Sequence, residues 1–334
     1  MKPPVRAAIV GATGAVGSEL LAILEQRQFP LSDLRLLASS RSAGRVVVWK
    51  GEARTVEPLD GASFEGVDVA FFSAGAERSR EYAPIAVSQG ALVIDNSSAF
   101  RMDREAPLVV PEINARAMNG ARLIANPNCT AIILCMALAP LSKLATIKRV
   151  VASTYQSASG AGAQAMQELL DQTADYLAGR SIEPRIMPHP YAFNLFSHNT
   201  AIGEDGYNGE EAKVIEESRK ILSMPELALT VTCVRVPVLR AHSISVNVEF
   251  DRPVDESEAR EVLLASQGVR VVDDREHNLF PMPSEASGQD ETLVGRIRQD
   301  NTNANALNLF VCGDQLRKGA ALNAVQIAEA LMSR

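Results

Sequence analysis

The sequence offers no cysteine pair. Its four cysteines, Cys129, Cys135, Cys233 and Cys312, are scattered, with no CxxC step and no histidines nearby at zinc-ligand spacing. A disulfide framework and a structural zinc site are both excluded on that pattern, so free thiols and no bound metal are expected. Runs of Lys and Arg are also missing, and the formal net charge is −7, which gives nucleic acid no foothold. No apolar stretch is long enough to span a bilayer. The opening MKPPVRAAIVGATG passes straight into a strand pattern, without the apolar core and small-residue cleavage site of a secretory leader. A cytoplasmic protein is the resulting expectation. No repeat, low-complexity tract or long linker interrupts the chain. What is there, 334 residues of which 46% are hydrophobic and 22% charged, suits two globular domains with sizeable cores.

Short apolar runs alternate with helix-like stretches through the first part of the chain. Val5–Val10, Leu34–Ala38, Val67–Phe72, Ala91–Asp95 and Leu123–Ala125 read as strands buried on both faces, as in a parallel sheet. Ser18–Gln26 carries Leu20, Leu21, Ile23 and Leu24 in one helical stripe. Strand alternating with helix predicts a doubly wound, Rossmann-like α/β domain.

The first strand runs into Gly11-Ala12-Thr13-Gly14-Ala15-Val16-Gly17 and then into that helix. Glycine permits the tight turn and a close approach of backbone to a pyrophosphate, which the helix N-terminus stabilises. The spacing is GxxGxxG, and its place between first strand and first helix gives it meaning as a dinucleotide site. A domain specific for NAD places a carboxylate near the end of the second strand, for the ribose 2′-hydroxyl. Here that region reads Leu37-Ala38-Ser39-Ser40-Arg41-Ser42, with none. Hydroxyls and a guanidinium suit a 2′-phosphate, so NADP is the expected cofactor, with Ser39, Arg41 and Ser42 as its ligands. Ligands of such sheets sit beyond the carboxyl ends of the strands. That rule puts the glycine loop, Ser39–Arg41, Ser73–Ala76, Asn96–Arg101 and Asn128–Cys129 along one edge.

Asn126-Pro127-Asn128-Cys129-Thr130 leads into the apolar helical stretch Ala131–Leu138, with Asn128 as candidate N-cap. Cys129 then falls in a first helical turn, where free N–H groups and the helix dipole favour a thiolate, the form a nucleophilic cysteine needs. The other three cysteines read as small buried apolar residues. Further on, Thr230–Val236 and Ser243–Phe250 alternate like strands, so a hairpin-like return is expected to bring Arg235 and His242 together. An imidazole titrates near neutrality and suits acid–base work. His189, His198 and His277 lack comparable surroundings and are expected to be structural or solvent-facing. Glu210 and Lys213 lie three apart on the predicted helix Gly209–Leu222, hence on one face. Ala163–Leu177 and the closing stretch around Leu322–Leu331 read as packing helices.

Taken in order, these segments resemble the aspartate-semialdehyde dehydrogenase family. Asn128-Cys129-Thr130 after a GATGAVG start is similar to its nucleophile motif, and Thr154–Gly162 to its glutamine and the glycine loop near the nicotinamide. Asn208–Lys213 resembles its substrate-binding helix, Arg235–Ser243 its arginine and catalytic histidine, and Gly313–Ala321 its closing cofactor loop. The resemblance covers essentially the whole chain, and no catalytic position is missing. It implies an NADP-binding domain of residues 1–128 with 315–334, and an α+β catalytic and dimerisation domain of residues 129–314. It implies catalysis by Cys129 through a thioester, with His242 as acid–base and Gln156 orienting the acyl group or the thiol. Arg101 and Lys213 would take the phosphate of aspartyl phosphate, Glu210 its ammonium and Arg235 its carboxylate. Ser159, Gly160 and Gln315 would line the cofactor. The implied reaction is NADPH-dependent formation of aspartate semialdehyde, on the way to lysine, threonine and methionine, in a homodimer. The competing expectations are another acyl-phosphate or acyl-thioester reductase on the same scaffold, and a non-catalytic paralogue. Retention of both Cys129 and His242 speaks against the latter.

Overall fold

A computed structural model describes residues 4–332. The chain forms two units: one runs to Asn128 and resumes at Ala320, and the other is Cys129–Gly319.

In the first unit, β1 (Val5–Val10) leads to α1 (Ala15–Gln26) and β2 (Leu31–Ala38). A hairpin of β3 (Val46–Trp49) and β4 (Glu52–Thr55), which the sequence pattern did not announce, is followed by β5 (Glu57–Pro58). Then come β6 (Val69–Phe72), α2 (Ala76–Ser88), β7 (Leu92–Asp95), the short α3 (Pro111–Asn114) and β8 (Leu123–Ala125). The sheet runs β5-β2-β1-β6-β7-β8 and every pairing in it is parallel. Its strands read as unbroken apolar runs because both faces are covered. Ala7 and Ile9 point into a core shared with Leu20 and Leu24 of α1 and with Val325 and Ala328 of the closing helix Leu322–Met332. Ala8 and Val10 point the other way, towards Ala83 and Ala86 of α2. The chain leaves β1 for β2 on one side and later returns to β6 on the other, so the loop after β1 sits where the strand order reverses. Open α/β sheets bind ligands at such a point.

The second unit begins with α4 (Cys129–Leu141), apolar on all sides and buried over nearly its whole surface. Then follow β9 (Ile147–Gln156), α5 (Ala163–Leu177), β10 (Phe196–Ser197), α6 (Gly209–Leu222), β11 (Ala228–Arg235), β12 (His242–Phe250) and α7 (Glu256–Leu264). Last are β13 (Val269–Val271), β14 (Thr292–Gln299) and β15 (Ala306–Gly313). The sheet is mixed, in the order β10-β11-β9-β12-β15-β14-β13. Helices α4, α6 and α7 pack on it, with α4 against both of the others. Alternation along β9, β11, β12 and β15 sends Val150, Val231, Val246 and Leu309 into the buried face. Val151, Tyr155, Val234 and Phe310 alternate with that buried set on the same strands and are only partly covered or exposed.

The expected hairpin of Thr230–Val236 with Ser243–Phe250 is absent. β9 lies between the two strands, parallel to β11 and antiparallel to β12. Alternation tells which face a residue takes, not which strand lies beside it, and that is why the pairing escaped the sequence.

Candidate active site

Strand register, not a turn, assembles the second unit's polar cluster. Arg235 at the end of β11 is paired with Gln156 at the end of β9. His242 starts β12 opposite Gly313 of β15, and the neighbouring pair Ser243–Tyr155 puts His242 level with Gln156. Arg235, Gln156, His242 and Gly313 thus form one row across adjacent strands, at the same level of the sheet, all of them buried.

The fourth member of the row is glycine for a steric reason. A Cβ at Gly313 would come within 2.8 Å of the Ile133 side chain, so α4 could not lie where it does. Ile133 is one turn along from Cys129 and shares its face. Cys129 is the first residue of α4 and half-buried. A Cβ at Gly319 would meet its Cβ at 2.8 Å. Glycines at both places therefore set the seat of the cysteine. The other three thiols are buried, and burial pushes each up to about 12, which fits the packing role expected of them.

Gln156 ties the nucleophile's helix to α6. Its Nε2 donates to Thr130 Oγ1 at 2.6 Å and to Glu210 Oε1 at 2.9 Å. A carboxylate only accepts, so the contact with Glu210 fixes which end of the amide is nitrogen. Both amide hydrogens are thereby engaged, while Oε1 is buried and without a partner among the described residues. Gln156 can accept from a thiol or an ammonium but has nothing left to donate to an acyl oxygen. Glu210 itself is held at the start of α6 by a capping box, in which Asn208 accepts from the backbone of Glu210 and Glu211 while Glu211 reaches back to the N–H of Asn208. Glu211 also accepts from the N–H of Cys233. The adjacent carboxylates thus divide, Glu211 serving the fold and Glu210 facing the cluster. Lys213 follows on the same helix, half-buried.

His242 is held through its Nδ1, which accepts from the N–H of Ser157 at 3.0 Å. A neutral imidazole that accepts at Nδ1 carries its hydrogen on Nε2. Burial, and then the Arg235 charge, lower His242 to about 3, so it rests neutral. A Cβ at Gly160 would stand 3.0–3.2 Å from the His242 ring and the Arg235 guanidinium, so that glycine also spaces the cluster. Ser159 Oγ accepts from Gln315 Nε2, and Gln315 Oε1 accepts from the N–H of Ala241. Ala241 has φ +71°, a left-handed conformation that this bond helps to hold.

His198, expected to be structural or solvent-facing, is buried against Arg235 Nη2 at 2.8 Å. Burial and the arginine lower it to about 4. These two histidines carry a stability prediction. Unfolded, each titrates near 6.5, so between that value and the folded ones the unfolded chain binds more protons. Stability is then full above pH 6.5 and falls on acidification towards pH 4 and 3, by about 1.4 kcal/mol per pH unit for each histidine. Urea midpoints at pH 7.5, 5.5 and 4.5 check this, and a flat series would refute it.

In the first unit the glycine loop closes on itself. Gly11 has φ +90°, and a Cβ there would lie 2.4 Å from the Ser73 carbonyl oxygen. A Cβ at Gly17 would lie 2.3 Å from the Gly11 oxygen. Gly14 caps α1 without any side-chain bond and no acidic residue occupies the first turn, so Thr13, Ala15 and Val16 line an uncapped helix N-terminus. Such an end suits a pyrophosphate. Ser39, Arg41 and Ser42 lie in a turn at the carboxyl end of β2, closed by the N–H of Ser42 on the Ser39 oxygen at 2.8 Å. Arg101, also in this unit, donates to the carbonyl oxygens of Asn126 at 3.0 Å and Asn96 at 2.9 Å, across the ends of β8 and β7.

The Semialdehyde dehydrogenase, NAD binding domain family matches residues 6–121, and the Semialdehyde dehydrogenase, dimerisation domain family matches residues 138–318. An aspartate-semialdehyde dehydrogenase of Synechocystis sp. is 52% identical over 100% of this chain and 99% of its own. The chain belongs to the aspartate-semialdehyde dehydrogenase family. A relative in that family from Aquifex aeolicus is 47% identical over 98% of each chain. Among solved structures, aspartate semialdehyde dehydrogenase II of Vibrio cholerae, complexed with ASA, has a TM-score of 0.95 at 40% identity, covering 99% of both chains. Membership accounts for the α/β fold with a parallel nucleotide-binding sheet. Sequence reasoning missed Ser157, Thr130, His198, Gly160 as a spacer and Gly319. None of them carries a local signal of its role: Gly160 and Gly319 lack a positive φ and are explained only by the side chains packed against them, which periodicity does not show.

Proposed function

We propose that this chain catalyses the reductive dephosphorylation of L-aspartyl 4-phosphate to L-aspartate 4-semialdehyde, through a thioester on Cys129, with NADPH as reductant. The observation that carries the reading is the buried row Arg235–Gln156–His242, joined through Gln156 to Glu210 and to the residue after Cys129. Its charges match an amino acid: Arg235 for the α-carboxylate, Glu210 for the ammonium, and Arg101 with Lys213 for the phosphoryl oxygens.

Cys129 Sγ bonds to the acyl carbon while the bond from that carbon to the phosphate oxygen breaks, and phosphate leaves with the electron pair. The nicotinamide, when bound, supplies the hydride that reduces the thioester carbon. The former carbonyl oxygen then carries the negative charge, and His242 offers it the hydrogen on Nε2. The carbonyl reforms as the carbon–sulfur bond breaks, which returns the thiolate with no net proton required. A neutral imidazole is sufficient for that task. Gln156, left as an acceptor, orients the thiol or the substrate ammonium.

The glycine loop and the uncapped start of α1 suit a pyridine dinucleotide, with Gly11, Gly14 and Gly17 allowing its approach. The absence of a carboxylate after β2, with Ser39, Arg41 and Ser42 there instead, supports NADP over NAD. Ser159 and Gly160 would flank the nicotinamide, with Gln315 fixing Ser159. A homodimer is supported by the second unit's sheet, where Tyr155 on β9 is 40% exposed and Phe310 on β15 packs beside it. A second copy would cover that face. No helix among the described residues is long and apolar enough to cross a membrane, and we place the enzyme in the cytoplasm, in biosynthesis of lysine, threonine and methionine.

The test is phosphate-dependent reduction of NADP with aspartate semialdehyde, beside its N-acetylated form and glyceraldehyde 3-phosphate, repeated with NAD. Aspartate semialdehyde with NADP should be the best pair by about 100-fold or more, since Glu210 recognises a charged amine that acetylation removes. Equal rates with the acetylated aldehyde would refute the substrate, and equal efficiency with NAD the cofactor preference.

A further inference from the structure

Arg235 is the buried cation of the cluster, 5% exposed. Its Nη1 donates to the Ser157 carbonyl oxygen at 3.3 Å, and its Nε–H is buried without an acceptor among the described residues. The second contact is with His198 Nε2, at 2.8 Å. A guanidinium has only hydrogens to give, so His198 Nε2 must present a lone pair. The hydrogen of the neutral ring is then on Nδ1, which faces Thr200 Oγ1 at 3.3 Å. The Thr200 hydroxyl also accepts from the N–H of Glu210 at 3.0 Å and donates to Asn208 Oδ1 at 3.3 Å. Asn208 Oδ1 is an acceptor at its own end, because it caps α6. Donors therefore run one way, Arg235 to His198 to Thr200 to Asn208, and the polarity is fixed at both ends.

We propose that His198 is a positioning residue: it holds the Arg235 guanidinium by Nη2 so that the unpartnered Nε–H edge is presented to the substrate carboxylate, in register with Glu210. His198 reaches this place because it follows β10, which pairs with the end of β11, and its own N–H donates to the Cys233 oxygen at 2.9 Å. The relay ends on Asn208 Oδ1, and both Thr200 Oγ1 and that oxygen accept from the N–H of Glu210, so the groups assigned to carboxylate and ammonium are tied to one set of hydrogen bonds. Burial keeps the ring neutral, as the relay demands, since a second proton would set N–H against N–H.

This inference rests on Arg235 being the carboxylate ligand, and the experiment separates the two. His198→Ala should raise KM for aspartate semialdehyde about 10- to 100-fold, the loss of one hydrogen bond to a charged group at a buried site. The KM values for phosphate and NADP should stay within about twofold and kcat within about threefold, because neither Cys129 nor the nucleotide loop is touched. His198→Gln, whose amide oxygen can accept from Arg235, should recover most of the loss. An unchanged KM in His198→Ala, a rise in all three KM values together, or no recovery in His198→Gln would each overturn the proposal. Long-range 1H–15N correlation spectra of the histidine-labelled wild-type enzyme give a readout independent of turnover and of the variants' folding. An Nδ1–H tautomer for His198 supports the relay, whereas Nε2–H or a charged ring overturns it. Should the wild type fail to use aspartate semialdehyde while this tautomer is present, the substrate reading fails and the relay stands.

Discussion

Replacing Cys129 by alanine is expected to lower turnover by about four to six orders of magnitude, since a covalent route loses its first bond. Binding of NADPH should persist, because the glycine loop and the uncapped helix start belong to the first unit, whereas Cys129 opens the second. The chain also provides an internal control. Cys135, Cys233 and Cys312 are wholly buried, with thiols raised to about 12. Under native conditions a thiol reagent should therefore react with Cys129 alone, fast and in parallel with loss of activity. The alanine variant should show no fast thiol. Residual turnover within tenfold of wild type would reject the thioester route, and a second fast thiol would reject the assignment of the other three as inert.

Those elements were most legible whose cause lies within a few residues. Helix Gly209–Leu222 ends where the periodicity predicts, because Asn208 and Glu211 close a capping box and Ser223 adopts the left-handed conformation that stops a helix. Strand Val5–Val10 and the turn at Gly11 were readable since an apolar run followed by glycine leaves few alternatives. Boundaries moved where a local signal was weak. α1 begins at Ala15 instead of Ser18, with Gly14 as a cap that makes no side-chain bond. α4 extends from Cys129 to Leu141, beyond the apolar stretch, and takes Pro140 into its last turn.

The site was legible as a set of residues and illegible as a geometry. Arg235 and His242 lie close in sequence, which suggested a hairpin, yet β9 from far upstream separates their strands. Gln156 arrives on that strand, and so the residue that had only an orienting role in sequence turns out to link Thr130 to Glu210. His198 carried no local pattern at all. Its meaning comes from the Arg235 nitrogen beside it, a long-range contact set by the pairing of β10 with β11. Tertiary register decides such neighbours, and no periodicity encodes it.

The same register sets the second large effect, that of Arg235→Lys. Arg235 gives one terminal nitrogen to the Ser157 oxygen and the other to His198 Nε2, and its Nε–H has no acceptor among the described residues. A planar fork can hold two protein acceptors and a carboxylate at once. Lysine keeps the charge but offers a single ammonium on a flexible stem, so it must give up the substrate, Ser157 or His198. At a buried position the acceptor that is given up is left unsatisfied. KM for aspartate semialdehyde should rise about 100-fold in Arg235→Lys and about 1000-fold in Arg235→Ala, in keeping with truncation of a desolvated charge pair. Phosphate should keep its KM, since Arg101 and Lys213 are assigned to it. An aldehyde lacking the carboxylate, 3-aminopropanal, supplies the decisive comparison. The wild type should discriminate strongly against it, and Arg235→Ala should discriminate little, because the difference between the two aldehydes is the group Arg235 would bind. Equal loss on both would show that Arg235 acts by holding Ser157 and His198, not by contacting substrate. An increase confined to the KM for phosphate would exchange its role with that of Lys213.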